Sequence, residues 1–283
     1  MTRLLGIYRE KECSPGRHQS NDARLLEQVA DSLRERGFSI ELSTLEQART
    51  RRVDAALVFS MCQGRAALDL LAGWERDGIH IVNSPRAARN THRDRLPDLM
   101  LRAGVPFPAT QIISTSGPAA PHASVEEGIW LKRGDVHASV SADVQRVDSL
   151  AAFEAGRAEF ASRGIGAAAV QAHRAGDEIK FYGVAGDEFF HWFYSGHSSG
   201  YVFEPSALPR LAARAAAAAG LDIYGGDVIV SPSGELTLID LNDWPSFAPC
   251  RERAADAIAD YLTRRVHAAW NPGLVSSANE SAL

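Results

Sequence analysis

The chain has 283 residues, 45% of them apolar and 23% charged, which suits one multi-lobed enzyme or two to three small subdomains. Its formal net charge of −5 argues against a nucleic-acid partner, which selects for a basic excess. Cys13, Cys62 and Cys250 are far apart, with no CxxC pair and no His/Cys cluster, so neither a disulfide framework nor a zinc site is expected.

In chain order, the opening MTRLLGIYREKE lacks the long apolar core of a targeting segment. No later run could span a bilayer, so a cytoplasmic protein with no membrane partner is expected. Residues 4–8 form a short apolar strand, and 22–36 repeat apolar residues at helical spacing through Leu25, Leu26, Val29, Ala30 and Leu33. Strands at 38–42, 55–59 and 79–82, with a helix at 65–74, complete a β-α-β-β-α-β order that predicts an open α/β sheet. Ligands of such sheets gather beyond the carboxyl ends of the strands, here 9–19, 60–64 and 83–85. A helix at 93–103, an extended 105–113 and a Ser/Pro/Gly/Ala-rich loop at 114–122 follow. Strands at 129–133, 140–147, 168–173, 178–184 and 188–194 then dominate, interrupted by a helix at 150–162. An alanine-rich helix at 209–219, two strands at 224–230 and 236–241 and a last helix at 251–269 precede a Ser/Asn/Gly-rich tail, 271–283, expected to be disordered.

Among 30 basic residues only Lys11, Lys132 and Lys180 are lysines. A compact ammonium kept in an arginine-rich chain suits phosphate charge without bidentate geometry. The richest segment is GGDVIVSPSGELTLIDLNDWPSF, residues 225–247. Asp240 and Asn242 are two apart on one strand, so alternation points both to one face, and the hairpin brings Asp227 beside them. Two carboxylates and an amide oxygen suit magnesium, which completes its shell with water and phosphate.

This D…DxN arrangement followed by WPSF resembles the carboxyl-terminal signature of the ATP-grasp superfamily, which includes glutathione synthetase, D-alanine–D-alanine ligase, RimK-type glutamate ligases and inositol trisphosphate kinases. GIWLKR (128–133) is similar to the strand whose lysine contacts ATP phosphates, here Lys132. VQAHRAGDEIK (170–180) resembles the adenine hinge. The resemblance implies backbone pairing at Gln171, Ala172 and His173, a ribose contact at Glu178 and a phosphate contact at Lys180. VNSPRAARNTHRDRL (82–96) looks like the join between a preceding α/β domain and the grasp. The implied architecture is α/β: an N-terminal domain over 1–92, a central lobe over 93–170 and a metal-bearing lobe over 171–270.

The sequence departs from that pattern in places. Loop 134–139 has one glycine, so anion contacts there fall to His137, Ser139 or loop amides. Asp94 and Arg95 stand where a lysine is common, and Asp240 where ligases often have glutamate. Arg251 could hold an acceptor anion or pair along its own helix. The aromatic run 191–194 could line an acceptor pocket or a core, and 195–199 reads as a mobile loop near the nucleotide or simply as a loop. Cys62 has no histidine near it in sequence and is not expected to be a nucleophile.

The resemblance implies ATP and Mg²⁺, with Mn²⁺ as a substitute. It also implies a small-molecule acceptor (an amino acid, peptide or small carboxylate) and a possible homodimer. Catalysis would rest on Lys132, Lys180 and Arg251, and the metal on Asp227, Asp240 and Asn242. Carboxylate–amine ligation through an acyl phosphate leads, ahead of hydroxyl phosphorylation and of nucleotide binding without turnover.

Overall fold

The computed structural model describes residues 1–14, 17–50, 52–135, 140–186 and 189–270. Three four-stranded sheets carry the fold. The first is parallel in the order β2-β1-β3-β4, from Arg3–Ile7 (β1), Ser39–Ser43 (β2), Leu57–Ser60 (β3) and Ile81–Val82 (β4). The helices Arg17–Glu35 (α1), Leu45–Ala48 (α2) and Arg65–Arg76 (α3) connect its strands. Strands β1 and β3 are apolar almost throughout, as expected where a parallel sheet is covered on both faces.

The helices Pro85–Asn90 (α4) and Leu96–Arg102 (α5) lead into the second sheet. The sequence predicts one helix over 93–103. That helix is α5, and the unexpected α4 precedes it because Ser84 accepts from Ala87 N as an N-cap and Pro85 follows at the first helical position. The second sheet, order β5-β8-β6-β7, is antiparallel. It comprises Thr110–Ser114 (β5), Ile129–Arg133 (β6), Val144–Val147 (β7) and Ala167–Ala172 (β8), with Leu150–Ser162 (α6) packed on one face. The strand expected over 140–147 begins only at Val144, after a 3-10 turn at Ser141–Asp143.

The third sheet, β10-β9-β11-β12, is also antiparallel. Its strands are Asp177–Val184 (β9), Phe189–Tyr194 (β10), Ile223–Val230 (β11) and Leu236–Asp243 (β12). Ala207–Ala219 (α7) covers one face through Leu208, Leu211, Ala212 and Ala215, against Ile179, Phe181 and Val228. The other face is open to polar side chains. The last helix, Arg251–Trp270 (α8), packs along α1, so Leu25, Val29, Ile258 and Leu262 share one core with Phe59, Trp244 and Phe247. Ion pairing of Arg36 with Asp260 at 2.7 Å and a Ser32–Asp256 hydrogen bond at 2.7 Å edge that seam. The first sheet and the end of β12 are thereby joined.

The expected mobile loop after β10 is tied down. Asp177 accepts from Ser199 N and Tyr201 N, both at 2.8 Å, and from Ser198 Oγ at 3.0 Å. Among the described residues no helix is long and apolar enough to cross a membrane. The expected tail 271–283 and His137 lie outside the described residues.

Candidate active site

Alternation places Glu178, Lys180 and Tyr182 of β9 on the open face of the third sheet, since Ile179 and Phe181 are buried under α7. Pairing register aligns Lys180 with Asp227 and Asp227 with Asp240, one row across β9, β11 and β12. The next row is Tyr182, Gly225 and Asn242. Both carboxylates and the amide expected to bind metal therefore share one face. The glycine pair permits this packing: a Cβ on Gly226 would lie 2.5 Å from Asp240 O, and one on Gly225 would lie 2.8 Å from Phe181 O.

Lys180 Nζ donates to Asp227 Oδ1 at 2.8 Å and lies 3.2 Å from Glu178 Oε1. Burial opposes its charge, but these two carboxylates outweigh burial and raise its pKa above the ordinary lysine value. Lys180 thus sits beside the metal set on the same sheet. Glu178, expected at the ribose, is its second partner.

Lys132 does come from the facing sheet. Leu131 is buried under α6, so alternation turns Lys132 and Trp130 toward the third sheet, with Gln171 beside Trp130. The Lys132 side chain reaches Ile239 O at 3.4 Å and Gln171 Nε2 reaches the same oxygen at 3.3 Å. Ile239 is the extra residue of a β-bulge, opposite no residue of β11. Lys132 is only 6% exposed. Burial pushes its ammonium down to about 8, against the pull of Asp240.

Arg93, which the sequence reading did not single out, enters the same place. Its Nη2 donates to Asp240 Oδ2 at 2.9 Å, and its Nε has no hydrogen-bond partner among the described residues. Arg95 is exposed. Arg93, Lys132, Gln171, Ile239 and Asp240 line a cavity of only about 10 Å³, roughly the room of one water. In this conformation the two sheets close directly on each other.

Beyond the metal row the cleft widens to about 320 Å³, bounded by Lys180, Tyr182, Asp227, Asn242 and Asp243 and by Arg9, Asp22 and Gln63 of the first domain. Arg9 and Gln63 follow the carboxyl ends of β1 and β3, where the α/β reading placed a ligand. Arg9 Nε lies 3.0 Å from Asp22 Oδ2, and Arg9 Nη2 donates to Trp244 O at 2.5 Å. Trp244 and Phe247 hold left-handed backbone, φ 39° and 48°, which costs of order 1–3 kcal/mol each. Full burial of both rings and a Trp244 Nε1–Val82 O bond of 3.1 Å hold the turn in place. Asp243, 1% exposed, receives Gln63 Nε2 at 3.2 Å on Oδ1. Burial raises its carboxyl to about 6, with Arg9 opposing.

Other expected residues fall elsewhere. The N–H groups of Ala172 and His173 donate to Ala109 O and Gly128 O, so both hinge donors are engaged within the protein. His173 Nδ1 accepts from Trp130 Nε1 at 3.2 Å. Arg251 donates to Asn21 Oδ1 at 3.0 Å at the α1–α8 seam and does not line the cleft. Cys62 is buried, and burial drives its thiol pKa far up, the opposite of an activated nucleophile. Asp243 was missed because it follows Asn242 by one, and strict alternation assigns it to the covered face; the strand ends there and its side chain meets the first domain instead.

No protein-family model matches the sequence, and no curated protein matches it. Solved structures do. A D-alanine–D-alanine ligase from Bacillus anthracis, complexed with ATP, superposes with TM-score 0.72 at 11% identity, over 96% of this chain and 100% of that one. A RimK domain ATP-grasp protein from Sphaerobacter thermophilus gives 0.67 at 18%, over 92% and 99%. The ATP-grasp ligase PsnB, complexed with a minimal precursor, gives 0.63 at 16%, over 93% and 99%. Superposing on these enzymes along nearly the whole length of each, the chain has the ATP-grasp fold.

Proposed function

We propose that this chain is an ADP-forming carboxylate–amine ligase that uses ATP and magnesium, with manganese as a substitute ion. The observation that carries this reading is the meeting of Asp227, Asp240 and Asn242 on one sheet face with the buried Lys132 of the facing sheet. A few hard oxygen donors fit magnesium. In this conformation Asp227 is paired with Lys180 and Asp240 with Arg93, contacts that a bound ion would share. When bound, the ion neutralises and orients the triphosphate.

The protein's own groups do the rest. Lys132 offers a desolvated ammonium to a phosphate oxygen, where low dielectric makes the contact strong. Lys180 fixes the orientation of Asp227, and Arg93 that of Asp240. The first domain closes the wide part of the cleft and holds the acceptor there. The acceptor carboxylate oxygen attacks the γ-phosphorus, the bond to ADP breaks, and an acyl phosphate forms. A second substrate's amine nitrogen then attacks the acyl carbon, phosphate leaves with the bonding pair, and the amine proton passes to phosphate or solvent. Positioning and charge neutralisation supply the rate, with no dedicated base.

The test is ADP release from MgATP with amino acids, peptides and small carboxylates, each with and without an added amine. ADP release should require a carboxylate, and condensed product should accumulate with phosphate only when the amine is present. Stable phosphorylation of a hydroxyl, from polyols alone, would replace the ligase reading.

A further inference from the structure

Strand β10 is an edge of the third sheet, paired with β9 on one side and with no strand on the other. Its register with β9 sets Tyr194 opposite Ile179 and hence Ser195 opposite Glu178, and Ser195 N donates to Glu178 O at 2.8 Å. Inward- and outward-bonding residues alternate along an antiparallel ladder. Phe189, His191 and Phe193 therefore bond to β9, while the N–H and C=O groups of Phe190, Trp192 and Tyr194 point away from the sheet. Among the described residues those outward groups have no backbone partner. Such an edge is normally guarded by a charge, a proline or a bulge. The opposite edge, β12, has the bulge at Ile239 and the carboxylates of Asp240 and Asp243. Strand β10 reads FFHWFY, in unbroken register and with no carboxylate, lysine, arginine or proline. Its open-face rings His191 and Phe193 are half-buried and belong to neither adjoining core.

We infer that β10 pairs antiparallel with β10 of a second copy of this chain, about a two-fold axis perpendicular to the sheet and passing through Trp192. The strand is complementary to itself in that register. Trp192 exchanges both backbone bonds with the partner's Trp192, and Phe190 exchanges both with the partner's Tyr194. Centring the axis on His191 or Phe193 would leave one outward residue without an outward partner in the strand. On the open face His191 meets the partner's Phe193, so aromatic rings face each other across the seam and no charge meets its like. A closed two-fold contact of this kind stops at a dimer. The two third sheets become one sheet of eight strands, and both clefts open on the same side of it. The inference does not depend on the reaction proposed above.

The experiment is sedimentation equilibrium of the full chain over about 1–100 µM, the range suited to a small interface, beside residue-resolved amide exchange. The wild type should pass from one chain mass to twice that mass. The amides of Phe190, Trp192 and Tyr194 should become protected as it does, while those of His191 and Phe193 are protected in both states. The double variant His191→Lys/Phe193→Lys sets like charges opposite each other across the seam. Its counterpart, His191→Lys/Phe193→Glu, removes the same rings but sets opposite charges there. With both shown to be folded by circular dichroism and thermal melting, the first should dimerise at least about tenfold more weakly than the second. Equal dimerisation of the two folded variants overturns the inference. A dimer in which the three outward amides exchange as fast as in the monomer overturns it whether or not the variants fold. A wild type that stays monomeric throughout also overturns it, and leaves this edge to a strand of another protein.

Discussion

Asp240 shows how a residue's partners decide what its replacement does. It lies in the metal row yet also neutralises Arg93, and the two side chains are 13% and 8% exposed. Asp240→Ala would leave a buried guanidinium unpaired, a loss of about 3–5 kcal/mol in stability, and so would mix a folding effect with a catalytic one. Asp240→Asn keeps an oxygen for Arg93 and removes only the charge. Its expected result is a fall in ligase turnover of about a hundred- to a thousandfold, with a melting temperature near that of the wild type. Steady-state kinetics beside thermal denaturation checks both. Turnover close to wild type would remove Asp240 from the metal set. The pairing with Arg93 is not written in sequence spacing, because the two residues are 147 positions apart and meet only when the turn between α4 and α5 is packed against β12.

At the scale of elements, the hairpin β11–β12 and the loop after β10 position the cleft. Gly226→Ala places a methyl 2.5 Å from Asp240 O and 2.7 Å from the Phe181 ring, so the strands must part. A loss of about 1–3 kcal/mol is expected, read by urea denaturation, together with reduced activity because Asp227 and Asp240 separate. Asp177 makes a pH-dependent contribution. Burial works against its charge, but donation from Ser199 N, Tyr201 N and Ser198 Oγ holds its carboxyl below the ordinary value of 3.8. A depressed folded pKa contributes stability that is fully present above the unfolded value and is lost as pH falls through the folded one. Asp177→Asn should therefore lower the melting temperature by the same amount throughout the neutral range, and the gap to wild type should shrink below about pH 4. A gap that widens on acidification would contradict the assignment. The strands and the DxN face were legible because alternation is a local property. The loop's anchoring was not, because composition alone makes Ser, Gly and His read as mobile, and its anchor lies a strand earlier.

For the whole molecule, the first open α/β sheet could be read from the order of periodicities, the split of the later strands between two lobes was implied only by the family resemblance, and the way the sheets meet could not be read. The α1–α8 seam puts the last helix in the core of the first domain, although it follows the metal-bearing strands in sequence. The direct contact of Lys132 and Gln171 with Ile239 O depends on a bulge that spacing does not reveal. That contact leaves about 10 Å³ where a nucleotide is proposed, so binding must part the two sheets, and desolvated Lys132 favours a ligand that restores its full charge. Lys132→Met is expected to raise stability by about 1–3 kcal/mol, since a poorly solvated ammonium is replaced by an apolar chain of similar volume, while weakening nucleotide binding.

Calorimetric titration of MgATP into the wild-type protein and Lys132→Met therefore tests the shared site most directly. The wild type should bind only when magnesium is present, and the variant at least about tenfold more weakly despite melting higher. Equal affinity of the two proteins, or binding unchanged by removal of the metal with a chelator, would contradict a nucleotide site built from Lys132 and the oxygens of Asp227, Asp240 and Asn242.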